Sequence, residues 1–291
     1  MIRETGETRE SAESHARGLF LEAAPGQRFG LFHPPAGACR GAILYVHPFG
    51  DEMNKSRRMA ALQARALAAA GFGVLQLDLY GCGDSSGDFG DARWSIWRND
   101  LHLACAWLAQ RVDGPLTVWG LRLGALLALQ LAAHPPVPLQ RLLLWQPELD
   151  GRRAIDRFLR LRLAGRILAG QAEAPGHARA ELAAGRAVEV AGYLLAPELA
   201  QAIDAMTAGS LRPPVPVYWL EYLAGEAAVL PATAASMAEQ WRGAGVALHI
   251  AGFADGPFWN SAELLECPQL LDATASVCHD WLDEGDPRHA R

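Results

Sequence analysis

The stretch Leu116 to His134, LTVWGLRLGALLALQLAAH, leaves this chain the least conformational freedom. Leu116 to Trp119 is a short apolar run, Gly120 and Gly124 flank a turn, and an Ala/Leu-rich segment follows until Pro135 and Pro136 stop it. The pattern predicts a buried strand, an abrupt turn and a helix. A glycine two residues before and two residues after a central position is what such a corner needs, because strand and helix close on each other too tightly to admit a Cβ. The central residue is Arg122.

Strand and helix alternate around that corner. Gly41 to His47 is a continuous apolar run, as in a strand buried on both faces. Asn54 is the expected N-cap of a helix to Ala70 that Gly71 ends, and Phe72 to Leu79 is a second buried strand. The glycine-rich loop Tyr80 to Gly87, a helix from Arg93 to Val112 and a strand from Arg141 to Trp145, ending at Gln146-Pro147, complete the series. The alternation predicts an α/β fold, a mostly parallel, doubly wound sheet with right-handed crossovers.

Upstream, Arg17 to Ala23 and Arg28 to His33, separated by Pro25-Gly26, predict an antiparallel hairpin at a sheet edge, and residues 1–16 a loose tail. From Leu149 to Leu211 the pattern is helical without strands: Arg152 to Ala169, Ala178 to Val188 and Pro197 to Ala208. The expected organisation is a core of residues 17–148 and 212–285, with an all-helical cap inserted at 149–211 over the carboxyl ends of the strands. The parallel pattern resumes with a strand at Val215 to Glu221, a helix at Thr233 to Gly243, a strand at Val246 to Ala251 and a last helix from Ser261 to Asp283. Ligands of such sheets bind at those carboxyl ends.

With 291 residues, 51% of them hydrophobic, the chain can bury one large core. A net charge of −6 gives no basic excess to replace counterions on phosphates, which excludes general nucleic-acid binding. Five cysteines (Cys39, Cys82, Cys105, Cys267, Cys278) contain no C-x-x-C pair, and the scattered histidines have no metal-ligand spacing, so no disulfide framework, metal or cofactor is implied. Met1 to Arg17 lacks the apolar run of a leader, and no segment has about 18 uninterrupted apolar residues. A soluble cytoplasmic protein in a reducing compartment is expected.

Several local signatures now agree. Through His47-Pro-Phe-Gly-Asp-Glu-Met-Asn-Lys-Ser-Arg-Arg58, Gly120-Leu-Arg-Leu-Gly-Ala125 and Gly256-Pro-Phe-Trp259, the segment from Gly41 to Asp283 resembles α/β-hydrolases of the serine aminopeptidase or acylglycerol-lipase-like group. More narrowly it resembles the exosortase A system-associated hydrolase 2 family. The resemblance implies an α/β-hydrolase fold, hydrolysis of ester, thioester or acylated-saccharide bonds, and a link to bacterial exosortase and exopolysaccharide systems. It also implies positions: oxyanion-hole N–H groups at Phe49 and Leu123, a structural loop at Asp78 to Gly87, and an acid at Glu221 or Glu226. His47, Gln146, Phe258 and Trp259 are expected to line the site.

The nucleophile position holds Arg122, and the loop Gly252 to Asn260, where the general base would lie, contains no histidine. A guanidinium is no nucleophile, and without an imidazole nothing relays the proton that makes a hydroxyl reactive. Arg122 then has two uses. It can form an internal ion pair with Asp51, Glu52 or Glu221, since a buried cation needs a partner. Alternatively, at a helix N-terminus beside the Phe49 and Leu123 N–H groups, its fork can bind the anionic group of a small molecule. Asp51 or Glu52 could instead serve as a carboxylate base in a hydrolase that uses no serine, or cap the helix near Asn54. A third possibility is a non-catalytic, homo- or hetero-oligomeric partner of an active paralogue. The six arginines between Arg152 and Arg166, interleaved with apolar residues, make a basic amphipathic helix suited to solvent, to an anionic membrane or to an acidic polysaccharide.

Overall fold

The computed structural model describes residues 15–168, 170, 174–225 and 229–284. Eight strands form one sheet in the order β1-β2-β4-β3-β5-β6-β9-β10. The edge hairpin β1 (Arg17–Glu22) and β2 (Gln27–His33) is antiparallel to itself and to β4 (Phe72–Leu77). The remaining strands, β3 (Gly41–Val46), β5 (Leu116–Leu121), β6 (Leu139–Trp145), β9 (Val217–Tyr222) and β10 (Leu248–Phe253), run parallel from β4 outward.

Every residue of β3 and β5 is buried, which is why these segments read as unbroken apolar runs rather than alternating ones. Helices α1 (Asp51–Ala69) and α8 (Pro268–Glu284) bury one face of the sheet through Met59, Leu67, Trp119, Trp145 and Trp281. Helices α2 (Trp94–Ala109), α3 (Leu123–Ala133) and α7 (Ala232–Gly243) bury the other. The expected doubly wound sheet is therefore present. Among the described residues no helix is long and apolar enough to cross a membrane.

Between β6 and β9 lie α4 (Gly151–Leu168), α5 (His177–Ala183), β7 (Val188–Val190), β8 (Tyr193–Leu195) and α6 (Pro197–Asp204). The insertion is not all helical: β7 and β8 pair as an antiparallel hairpin. Gly185 at φ 78° ends the helix expected to reach Val188, and Ala191-Gly192 at φ 48° and 86° form a turn with both central residues left-handed, matching the twist of paired strands. Buried Val188, exposed Glu189 and buried Val190 already carry the period of two that marks a strand.

Two helix starts also differ from expectation. Helix α1 begins at Asp51, capped by Gly50 at φ 61°, with Asp51 and Glu52 in its first turn where the helix dipole favours acids. Asn54 lies inside it and donates Nδ2–H to the Tyr193 hydroxyl at 2.8 Å, tying α1 to the insertion. The last helix starts at Pro268 rather than Ser261, because proline fits the first helical position and not the interior. Most of the loose tail expected at residues 1–16 lies outside the described residues.

Candidate functional site

The corner after β5 holds Arg122 at φ 55°, ψ −120°, backbone that a non-glycine residue adopts only under constraint from its surroundings. Those surroundings are visible. Arg122 N–H donates to Trp145 O at 3.1 Å, Glu148 N–H donates to Arg122 O at 3.1 Å, and α3 begins at the next residue. A Cβ on Gly120 would stand 2.5 Å from Ala125 Cα, and one on Gly124 would stand 2.2 Å from Val46 O. Gly124→Ala is expected to cost about 3 kcal/mol, since the colliding atom is strand backbone that cannot rotate away. A shift of less than 0.5 kcal/mol in urea titration would show that the corner is loose.

The Arg122 side chain turns into the molecule and is only 7% exposed. It lies between two carboxylates. Glu148, just past the end of β6, accepts a short ion pair from it, and Glu52 in the first turn of α1 accepts from Nη2 at 3.2 Å and Nε at 3.3 Å. Its Nη1 also donates to Gln146 O at 3.4 Å, and its Cζ sits 5.2 Å from the centre of the Trp259 ring. Arg157 of α4 closes a second short ion pair on Glu148. The result is a chain of alternating charge, Glu52, Arg122, Glu148, Arg157, running from α1 across the sheet end to the insertion.

Electrostatics differ along this chain. Burial works against the Arg122 cation, yet the two carboxylates more than offset it and keep the guanidinium charged. Burial pushes the Glu52 carboxyl above its usual range; Arg122 opposes that shift and Glu148, across the same guanidinium, adds to it. Glu52 is thus the looser partner: its contacts are the longer ones and its side chain keeps 24% exposure against 7% for Glu148.

Above this chain opens a cleft of about 480 Å³, mouth included, lined by Phe49, Asp51, Glu52, Leu123, Glu148 and Trp259, with Ala154, Arg157, Phe158 and Leu161 contributed by α4 and Asn260 by the loop after β10. Phe49 and Leu123, the positions at which the resemblance implies oxyanion-hole N–H groups, both line this cleft. Among the sequence-derived candidates, Phe49, Asp51, Glu52, Leu123 and Trp259 are therefore brought together with Arg122 beneath them. Asp51 is the outermost, half-exposed and paired with Lys55 at 2.8 Å.

Four candidates sit elsewhere. His47 is buried, accepts the Leu79 N–H on Nε2 at 3.1 Å and faces Pro48 O with Nδ1, so both nitrogens hold backbone; burial keeps its pKa down and the ring neutral. Phe258 is core, packed edge-on against Trp145 at 6.1 Å. Gln146 is a strut: its amide donates to Glu221 Oε1 at 3.0 Å and accepts the Tyr222 N–H at 2.6 Å. Glu221 itself receives Trp219 Nε1–H at 2.7 Å as well, and burial raises its carboxyl pKa against those two donors. Of the ion-pair partners expected for Arg122, only Glu52 is one. Glu226, the other acid position, lies outside the described residues.

The structure adds Glu148 and Arg157, which the sequence reading passed over. A usable signal existed for Glu148. It lies three residues beyond a strand adjacent to the elbow strand, so its backbone must lie beside residue 122. Nothing in the spacing marks Arg157.

The loop after β10, where the resemblance places a general base, contains no histidine. Asp255 accepts the Leu270 N–H at 3.3 Å and so caps the start of α8, while Gly256 adopts φ 134°, a conformation side chains avoid, with space for a Cβ closed by Leu265 at 2.8 Å. Ser85 and Ser86, in the loop after β4, are committed to backbone: Ser85 Oγ donates to Asp78 O at 2.5 Å and accepts the Phe29 N–H, and Ser86 Oγ accepts the Gln27 N–H. Among the described residues no group of three His, Cys, Asp or Glu side chains is placed to hold a metal ion.

The family pattern of serine aminopeptidases, S33, matches residues 37–183, just over half the chain and including the whole of the Arg122 corner. The chain belongs to that family. Its sheet order and helix placement are those of the α/β-hydrolase fold. Solved structures similar to it include Est1E from Butyrivibrio proteoclasticus with bound ferulic acid (15% identity, TM-score 0.63, covering 90% of this chain and 98% of that one). A carboxyl esterase from Bacillus coagulans in complex with glycerol gives 15% identity and TM-score 0.61 over 91% and 98%. XC6422 from Xanthomonas campestris, an α/β serine hydrolase described as lacking a lid, gives 16% and 0.58 over 94% and 98%. A search of the curated proteins finds no match. Within the S33 match, the corner after β5 carries Arg122, and the loop Gly252 to Asn260 contains no histidine.

Proposed function

We propose that this S33-family chain no longer performs serine hydrolysis and instead binds a small molecule with an anionic head and an apolar body, the head on Arg122 and the Phe49 and Leu123 N–H groups. The observation that carries the reading is the uneven grip on Arg122. Glu148 holds it tightly, while Glu52 touches it through longer contacts from the cleft rim and is the partner a carboxylate, phosphate or sulfate would replace. Phe49, Leu123, Phe158 and Trp259 supply the apolar wall for the rest of the ligand. The setting in which such a molecule would be met is the exosortase and exopolysaccharide context that the chain's motifs resemble.

Glu52 makes the proposal pH-dependent in a definite direction. Its carboxyl titrates above the usual range, so lowering the pH neutralises it early and frees Arg122 for an incoming anion. Calorimetry with decanoate and decyl sulfate should therefore show affinity rising as pH falls toward the region where Glu52 protonates. Decyl sulfate separates this from protonation of the ligand. Glu52→Gln should bind about 10-fold more tightly at neutral pH and lose most of that dependence, and Arg122→Ala should lose at least about 10-fold, the worth of one charge-assisted hydrogen bond. Equal affinities in wild type and Arg122→Ala would overturn the reading. Ester turnover that disappears in Glu52→Gln would replace it with a carboxylate-based hydrolase.

A further inference from the structure

We propose that α4 docks on an anionic lipid surface, presenting the mouth of the cleft to the bilayer. Arg153, Arg157, Arg160, Leu161, Ala164 and Leu168 recur at spacings of three and four along α4 and so share one stripe, with Ile167 beside it. Its opposite side, Ala154, Ile155, Phe158 and Leu159, is buried in the core, so this stripe is the face turned outward. Helix α4 carries six arginines against one acid, Asp156, in a chain whose net charge is −6.

Two features choose a bilayer over another polyanion. Arg153 and Arg160, both on the stripe, are exposed and hold no ion pair among the described residues, which any polyanion would satisfy. Leu161, Ile167 and Leu168 are 39%, 65% and 89% exposed, and a solvated polysaccharide offers nothing to bury them in. A bilayer takes both: headgroups meet the guanidinium groups, and the acyl boundary takes the aliphatic end of the helix. The mouth lies on the same stripe, since Arg157 and Leu161 line the cleft. Across it, the loop that follows Asn260 carries Leu264, 74% exposed. The inference goes beyond the proposed ligand chemistry and is tested without it.

The test is sedimentation of the full chain with phosphatidylcholine vesicles, with and without phosphatidylglycerol, across a salt series. Pelleting is expected only with the anionic lipid and should fade as salt rises. Arg153→Glu/Arg160→Glu should lower partitioning by about 25-fold or more, from roughly fivefold for each cation lost. Ile167→Ser/Leu168→Ser should also lower it several-fold, and all these positions are solvent-facing, so far-UV circular dichroism should be unchanged. Absence of wild-type pelleting would overturn the proposal. So would pelleting lost in the arginine variant but untouched by the serine variant, together with equal binding to alginate, which would assign the face to an acidic polysaccharide.

Discussion

Purified protein is expected to leave a fluorophosphonate probe unreacted at every serine and to turn over p-nitrophenyl butyrate at no more than the rate left when a triad is destroyed, roughly a millionfold below an intact one. Arg122 at the corner and the lack of a histidine in the loop Gly252 to Asn260 are two separate departures from what the resemblance implies, so changing one of them should not yield an active enzyme. Arg122→Ser returns a hydroxyl to the corner but no imidazole faces it, because Asp255 is engaged with α8 and Gly256 occupies the base's loop. Adding Gly256→His should not rescue the enzyme either. At φ 134° a side chain strains the backbone, and the Leu265 methyl 2.8 Å from the new Cβ must also shift to make room for the histidine. Intact-mass spectrometry after probe treatment decides the matter: a modified Ser85 or Ser86, or a labelled Arg122→Ser protein, would show that a proton relay survives.

Replacing Arg122 by leucine should destabilise the fold by about 3 kcal/mol, near the low end for breaking a buried pair because Arg157 still compensates Glu148. The loss comes from Glu52 and Glu148, which would then face each other across an apolar side chain. Its pH dependence has a fixed sign. The Glu52 carboxyl, whose folded-state pKa burial raises, binds its proton more tightly when folded, so the destabilisation should shrink as pH falls through that raised range and be fully expressed above it. Urea titrations at several pH values would measure it. Arg122→Leu combined with Glu52→Gln and Glu148→Gln should recover most of the loss, since no buried charge is left unpaired. Equal stability of Arg122→Leu and wild type at neutral pH would mean that the ion pairs contribute nothing to the fold. Arg157→Ala, at a side chain 41% exposed, should cost under about 1 kcal/mol.

Fold and corner were legible because they follow from local rules. The apolar run Gly41 to Val46 and the segment Leu116 to Leu121, apolar but for Thr117, mark strands buried on both faces, and the Gly120 and Gly124 pair marks a corner where the structure shows backbone and Cα atoms within 2.5 Å of any added Cβ. The period of two at Val188 to Val190 was equally legible, and the helical reading passed over it.

Sequence alone determined that a cation occupies the turn after β5, where the family resemblance implies a nucleophile, and that the loop Gly252 to Asn260 holds no histidine, since residue type at a turn-defined position needs no coordinates. Only the tertiary structure decided what that cation does. Glu52 comes from the first turn of α1, Glu148 from the end of β6 and Arg157 from α4; they are separated along the chain by up to about a hundred residues and share no periodicity. Parallel strands with crossover helices gather such residues at one end of the sheet, and which of Asp51, Glu52 or Glu221 turns toward the guanidinium depends on where each helix and strand ends. A one-residue shift in the start of α1 would exchange Asp51 for Glu52, because successive helical side chains point about 100° apart.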